Sequence, residues 1–306
     1  MAIPDRNQKI ESLLSSWGKR TSIMGILNIT PDSFSGDGLL SEQNTEFKTD
    51  IAQESRIVSA INQAREFVSA GVDILDVGGE STRPGAEPVP VSEEIDRVVP
   101  VIQALLDEFD VMISIDTYKS EVAQIALEVG AHMVNDVWGL KADPHLGVTV
   151  ANFSVPIVLM HNRSSWAHAQ IKQQLGGRYV GVPYENLLED IKKELLESVA
   201  IANQSGIKNE QIILDPGIGF GKTVEQNLEL LDSLDVIKSL GFPVLLGPSR
   251  KSFIGYTLDL PPNKRLEGTA AAVSVGIVRG ADIIRVHDVV FMSRVVRMTD
   301  AIVRRH

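Results

Sequence analysis

In this 306-residue chain, eight short apolar runs each carry, at or just past their ends, polar residues that could do chemistry. These are Asn28, Asp76, Asp116, Asn135–Asp136, His161, Asp215, Gly247–Lys251 and Arg285–His287. Singly, each has an ordinary explanation. Asp and Asn turn chains and cap helices, which is the preferred reading for Asp136, and Arg285 has Asp282 and Asp288 nearby as pairing partners. Together they ask for more. A buried polar group left unpaired costs about 1–3 kcal/mol, so a converging set implies a polar ligand that satisfies several of its members. Charge divides the set in two. Asp116, Asn135 and Asp215 suit a flat heterocycle bearing ring N–H and amino donors. Arg285, His287, Arg83 and Asn28 suit an anion such as phosphate, which Arg binds bidentately.

Three loops add to this. Thr30-Pro31-Asp32-Ser33-Phe34-Ser35 and Gly78-Gly79-Glu80-Ser81-Thr82-Arg83-Pro84-Gly85 carry hydroxyls and charge beside glycine or proline. Such loops can close over a substrate and exclude water, although simple turn chemistry accounts equally for Ser33 and Ser81. The third, Asp215-Pro-Gly-Ile-Gly-Phe-Gly-Lys222-Thr223, looks like a phosphate loop but has three residues, not four, between Gly217 and Gly221. Its glycines are read as allowing close backbone approach to a ligand. The six histidines show no tight metal-ligand spacing, and His161 is read as a core or loop histidine. Asn28 together with substrate phosphate oxygens suits Mg²⁺, which usually binds in this way. No G-x-S-x-G elbow marks a serine nucleophile. The absence of cysteine excludes disulfides, thiolate metal sites and a cysteine nucleophile.

The elements that must position these residues follow from the apolar pattern. Runs at Ile23–Leu27, Asp73–Val77, Val111–Ile115, Met133–Val137, Pro156–Met160, Gln211–Leu214, Pro243–Leu246 and Asp282–Val286 are continuous, not alternating, as in parallel strands buried on both faces. Helical periodicity fills the intervals: Gln53–Ala70, a helix starting at Ser92, Ser120–Val129, Tyr184–Gln204, Glu225–Leu240, Leu266–Arg279 and Val289–Arg304, with a weak one near Pro144–Asn152. Gly71, Gly130, Gly206, Gly241 and Gly280 stand where helices must end. Alternation of this kind means one parallel sheet. Between an open doubly wound sheet and a closed one, the count of eight favours a single (β/α)8 TIM barrel, whose site lies where strands end. Residues 1–20 read as an N-terminal extension and 21–306 as the barrel domain. The longest insertion, Gly36–Thr49, reads as a mobile active-site loop.

Composition narrows the function classes. Hydrophobic residues make up 43% and charged residues 23%, ordinary for a globular enzyme. The net charge is −11, and no basic cluster points to nucleic acid. No run is long and apolar enough for a membrane span, and residues 1–20 hold no apolar signal core. The expectation is a cytoplasmic enzyme with no nucleic-acid or membrane partner.

Seven stretches in order resemble the dihydropteroate synthase family. They are Met24–Ser35, Asp76–Gly85, Ser114–Thr117, Val134–Val137, Leu214–Lys222, Gly247–Gly255 and Arg285–Asp288. The resemblance implies a transferase of folate biosynthesis and a sulfonamide target. It would join 6-hydroxymethyl-7,8-dihydropterin pyrophosphate to p-aminobenzoate with release of pyrophosphate, by a dissociative route with Mg²⁺. It further implies pterin binding by Asp116, Asn135, Asp215, Lys251 and Arg285, with Asp116, Asp215, Lys251 and Arg285 the catalytic set. Pyrophosphate would be held by Asn28, Arg83, Arg285 and His287, with Asn28 on the metal. The p-aminobenzoate pocket would use Thr82, Pro84, Phe220, Ser249 and Lys251, and a homodimer through the last helices is expected. Two departures touch the rim: the long loop after Phe34, and Met160-His-Asn-Arg163, where many members have glycine soon after the histidine. A methyltetrahydrofolate-binding methyltransferase barrel and a catalytically silent pterin-binding relative are the alternatives. Arg83, His287 and the Ser-Thr-Arg-Pro loop argue against the first, and Thr82, Lys251 and Arg285 against the second.

Overall fold

The computed structural model describes residues 6–30, 45–81, 87–164, 169–172, 175–179 and 181–305. Its strands in chain order are β1 (Ser22–Asn28), β2 (Ile74–Gly78), β3 (Met112–Asp116), β4 (Met133–Asp136), β5 (Ile157–Met160), β6 (Ala169–Lys172), β7 (Gly176–Tyr179), β8 (Ile212–Asp215), β9 (Leu245–Leu246) and β10 (Ile283–Val286). Eight of them form one parallel sheet in the order β8-β5-β4-β3-β2-β1-β10-β9. The two ends meet through a parallel bridge from Leu214 to Val244 and a bond from Leu214 N to Pro243 O of 2.9 Å. The sheet thereby closes, and the expected (β/α)8 barrel is the fold. Each strand begins or ends within two residues of its apolar run, and β2, β4, β5 and β8 are buried throughout. Because both faces are covered, Ile, Leu, Val and Met dominate the positions between the strand-end polar residues.

The helices are α1 (Arg6–Ser16), α2 (Thr45–Ser69), α3 (Val91–Glu108), α4 (Ser120–Glu128), α5 (Leu146–Phe153), α6 (Leu187–Gln204), α7 (Val224–Asp232), α8 (Leu234–Lys238), α9 (Ser252–Leu258), α10 (Leu266–Val278) and α11 (Val289–Val303). Their inner faces follow the helical period; on α3, Val98, Val101, Ile102 and Leu105 are buried. The five glycines expected to end helices all take positive φ. No described helix is long and apolar enough to cross a membrane.

The structure departs from the sequence reading in four places. Helix α2 begins at Thr45, so the last five residues of the expected Gly36–Thr49 loop are helical, while residues 36–44 lie outside the described residues. The single helix expected over Glu225–Leu240 is two, because Ser233 leaves the helical region (φ −110°, ψ 27°) and α8 turns to bury Leu234 and Ile237. Between β5 and α6 the chain forms the antiparallel hairpin β6–β7, and α9 follows β9; the apolar pattern announces neither. Helix α1 packs under the barrel, where strands begin. There Arg6 Nη2 donates to Ala131 O at 2.7 Å, Lys9 pairs with Asp110 at 2.8 Å, and Ile10 and Leu13 are buried.

Candidate active site

The parallel register stacks the strand-end residues in a layer. Asn28 pairs with Gly78, Gly78 with Asp116, and Asp116 with Asn135, which brings four strands to one level. One pleat lower, Asp76 lies level with Ser114. Further round, Met160 pairs with Asp215. Arg285 on β10 reaches across to this group. Its Nε donates to Asp76 Oδ2 at 2.6 Å and its Nη2 to Asp116 Oδ2, while Asn135 Nδ2 donates to the same Asp76 oxygen at 3.0 Å. Strands β10 and β3 are not neighbours in the sheet, so these bonds cross the barrel interior. Arg285 pairs with neither Asp282 nor Asp288, the partners its local sequence offers. Asp282 accepts from Lys238 (2.6 Å) and Val244 N (2.8 Å), and Asp288 is held by Arg250.

Asp76 is fully buried. Removing one partner from such a buried group leaves an uncompensated charge, at a cost of about 3–5 kcal/mol. Burial would lower the Arg285 guanidinium, but Asp76 and Asp116 outweigh it and hold the group charged. Burial pushes the Asp116 carboxyl up to about 7 against the pull of Arg285, with Asp76 adding to the rise. Asp215, also buried, is raised by burial, opposed by Lys251 and by a bond from Gly217 N at 2.7 Å. Burial brings Lys251 down to about 8 despite Asp215. The mouth of the barrel is therefore a low-dielectric space holding three carboxyls, Asp76, Asp116 and Asp215, and two basic groups, Arg285 and Lys251, whose charges act on one another.

The glycine loop after β8 forms one wall. Gly217 has φ 70°, and a Cβ there would fall 1.8 Å from His161 O, so glycine is required at this close crossing. Lys251 Nζ donates to Ile218 O and lies 4.5 Å from the centroid of the Phe220 ring, a cation–π distance. Lys222 is buried and binds three acceptors: Gly217 O (2.9 Å), Phe220 O (3.0 Å) and His161 Nδ1 (3.1 Å). On the other side of the ring, His161 Nε2 lies 3.1 Å from Glu194 Oε2. Glu194 in turn receives Arg163 Nε at 2.8 Å, and Arg163 lies over the Tyr184 ring at 4.2 Å. The Met160–Arg163 departure is thus an ordered part of the wall. On the adjoining loop after β9, Ser249 Oγ accepts from His287 N at 3.1 Å and lies 3.0 Å from His287 Nδ1.

The structure therefore gathers Asp116, Asn135, Asp215, Phe220, Lys251 and Arg285 at one mouth, with Ser249 and His287 joined beside it and Asn28 at the same level. Thr82, Arg83 and Pro84 lie outside the described residues. Asp136 is the turn residue it was read as, accepting from Trp138 N (2.8 Å) and Leu140 N (2.6 Å). Two residues of the site carry no role in the sequence reading. Asp76 stands there only as one of the strand-end residues, and Lys222 only within a rejected phosphate loop. Among the described residues no cluster of His, Asp and Glu could hold a metal by itself. A hard cation here would need ligand oxygens besides Asn28.

Comparison with known proteins follows the same outline. The model of the family described as "Pterin binding enzyme" matches residues 24–287. A dihydropteroate synthase of Clostridium beijerinckii is 49% identical over 298 residues, covering 97% of this chain and all of that one. Among solved structures, a dihydropteroate synthase of Clostridium difficile in the presence of pteroic acid has a TM-score of 0.81 at 46% identity, covering 94% of this chain and 98% of its own. One from Xanthomonas albilineans with 4-aminobenzoic acid has a TM-score of 0.80 at 36% identity, covering 92% and 93%.

Proposed function

The chain belongs to the pterin-binding enzyme family, a transferase of the dihydropteroate synthase kind, and from that premise we propose how its barrel mouth carries the reaction. The substrates are 6-hydroxymethyl-7,8-dihydropterin pyrophosphate and p-aminobenzoate; the products are 7,8-dihydropteroate and pyrophosphate. The observation that carries the assignment is the crossing of the barrel by Arg285, which unites Asp76, Asp116 and Asn135 at the level where strands end.

Asp116, Asn135, Asp215 and Lys251 hold the pterin edge, and Arg285 lies against its face. Asn28, Arg83, Arg285 and His287 hold the pyrophosphate. The donor chemistry fits Mg²⁺, which takes oxygen ligands and commonly binds through one protein oxygen and substrate phosphates; the Asn28 carboxamide would supply that oxygen. When bound, the metal neutralises leaving-group charge. The chain's own Arg285 guanidinium, held charged, and the His287 ring share that task. As the C–O bond to pyrophosphate breaks, its electron pair leaves with the oxygen and positive charge spreads from the methylene into the pterin. Asp116 and Asp215 meet this cation. Their carboxyls sit above the ordinary carboxylate range because burial leaves their charge poorly compensated, so an arriving cation gains more from them than it would in water. The amine of p-aminobenzoate then donates its lone pair to the methylene and sheds a proton to solvent. Its pocket is Thr82, Pro84, Phe220, Ser249 and Lys251.

Residues 21–306 form the catalytic domain, and 1–20 are an extension whose helix closes the barrel floor. The cysteine-free chain suits the cytoplasm. The protein works as a homodimer through α10 and α11, two packed helices that expose Val275, Val278, Val290, Phe291, Met298 and Ile302, and exposed apolar residues gathered on neighbouring helices are a common mark of an interface. The reaction is tested by following pyrophosphate release from the pterin substrate with and without p-aminobenzoate. Release coupled to dihydropteroate formation is expected. A methyltransferase barrel or a silent relative would give none.

A further inference from the structure

The loop after β9 carries two residues of the second pocket, Ser249 and Lys251, with Arg250 between them. Lys251 N donates to Pro248 O at 3.2 Å, so residues 248–251 form a tight turn. Arg250 has φ 56°. Its place, third in the turn, demands positive φ only in turns that ordinarily use glycine or asparagine, and a long side chain held there is strained. The surroundings fix it. Arg250 N donates to Thr269 Oγ1 at 3.1 Å, and that hydroxyl donates to Arg265 O at 2.8 Å. Arg250 O accepts from Arg265 Nη1 at 2.9 Å.

Arg265 is 3% exposed, and its guanidinium is given wholly to backbone carbonyls. Besides Arg250 O, Nε donates to Leu260 O at 3.1 Å, just beyond α9, and Nη2 donates to Leu175 O at 2.8 Å, in the turn of the β6–β7 hairpin. Gly255 makes room for it: a Cβ there would fall 2.1 Å from Arg265 Nη2. A planar fork can meet three carbonyls from three segments, whereas a lysine ammonium is a point donor on a flexible stem. The Arg250 side chain itself goes outward to Asp288, with Nε to Oδ2 at 2.8 Å.

We infer that Arg265 is a positioning residue of the p-aminobenzoate pocket. With Thr269 it holds residue 250 in the left-handed conformation that places Ser249 against His287 and Lys251 against Phe220. It also ties the hairpin to that turn. The inference rests on the proposed membership of Ser249 and Lys251 in the second pocket.

The experiment uses the full chain and steady-state kinetics with p-aminobenzoate varied at saturating pterin pyrophosphate. A displacement of this kind should lower kcat/KM for p-aminobenzoate about tenfold or more in Arg265→Lys. Glycine adopts positive φ freely, so adding Arg250→Gly to Arg265→Lys should bring kcat/KM back to within about twofold of Arg250→Gly alone. Global loss of structure would not be repaired in that way. If Arg265→Lys does not fold, Thr269→Ala with and without Arg250→Gly gives the same comparison. Unchanged kcat/KM in the clamp variant, or a loss that glycine leaves unrepaired, overturns the inference. Ser249→Ala keeps the two readings apart. A raised KM for p-aminobenzoate there, with Arg265→Lys silent, defeats the positioning role alone; an unchanged KM defeats the pocket assignment beneath it.

Discussion

Asp76 shows how a residue with no assigned chemistry can govern residues that have it. Its one oxygen Oδ2 receives both Arg285 and Asn135, so the orientation of two pterin-side groups depends on a carboxylate below them. That role was not legible in the sequence. Asp76 lies 59 residues from Asn135 and 209 from Arg285, and only barrel closure makes them neighbours. Asp116, Asn135 and Asp215 were legible because their type conflicts with their position, a polar group at the end of a run of Ile, Leu and Val. The proposed roles of Asp116 and Asp215 as anions facing a developing cation lead to a specific expectation. Asp215→Asn removes charge and keeps shape, so kcat should fall about 10²–10³-fold, the scale of losing one preorganised electrostatic contact. Pyrophosphate affinity, measured by calorimetry, should change little. A rate near that of the parent would refute the role.

Among the elements, strands were easier to find than loops. Burial on both faces writes itself into composition, so all eight barrel strands could be found. The hairpin β6–β7 and helix α9 depend on contacts with distant segments, such as Leu175 O on Arg265, and leave no periodic trace. The break at Ser233 escapes a periodicity argument because both halves keep apolar residues at helical spacing. The glycine loop shows how tightly an element can depend on one atom. Gly217→Ala would force a Cβ into His161 O at positive φ. Strain of this type costs about 1–3 kcal/mol before any clash, so urea unfolding should show a loss of at least about 2 kcal/mol, together with impaired turnover.

The floor of the barrel makes a pH prediction. His132, at the start of β4, accepts Ile113 N–H on Nδ1 at 3.0 Å. Burial brings it down to about 4, with Lys9 and Arg6 adding to the fall and Asp110 opposing it. Its folded value lies below the ordinary 6.5, so the unfolded chain binds the extra proton between those values. The contribution of His132 is present above about pH 6.5 and is lost as pH falls towards 4. A tenfold difference in proton affinity between the folded and unfolded chain is worth about 1.4 kcal/mol. His132→Asn keeps an acceptor for Ile113 and cannot titrate. Its stability, from denaturant unfolding at pH 7 and pH 5, should fall about 1–2 kcal/mol less than that of the parent. An equal fall would place the acid sensitivity elsewhere, His161 being the other buried histidine brought down to about 4.

At the scale of the whole molecule, the barrel presents its chemistry at one end, a stabilising helix at the other, and an unpartnered apolar face on α10 and α11. Met298 is 63% exposed on that face. If the proposed dimer forms through this face, Met298→Asp should sediment as a monomer where the parent sediments as a dimer, with little change in monomer stability because the site is exposed. A parent chain that already sediments as a monomer would refute the dimer.

The closure of the barrel has a consequence for how it breathes. Seven of the eight junctions are ladders; the eighth, between β8 and β9, is the bridge at Leu214–Val244. This seam lies directly beneath the glycine loop and the Arg250 turn, the two segments that carry Phe220, Ser249 and Lys251 of the proposed second pocket. Local opening follows the joints with fewest hydrogen bonds. The barrel therefore has a soft side beneath the segments that bear Phe220 and Ser249, while the layer laced through Asp76 is tied across the interior by Arg285 and Asn135.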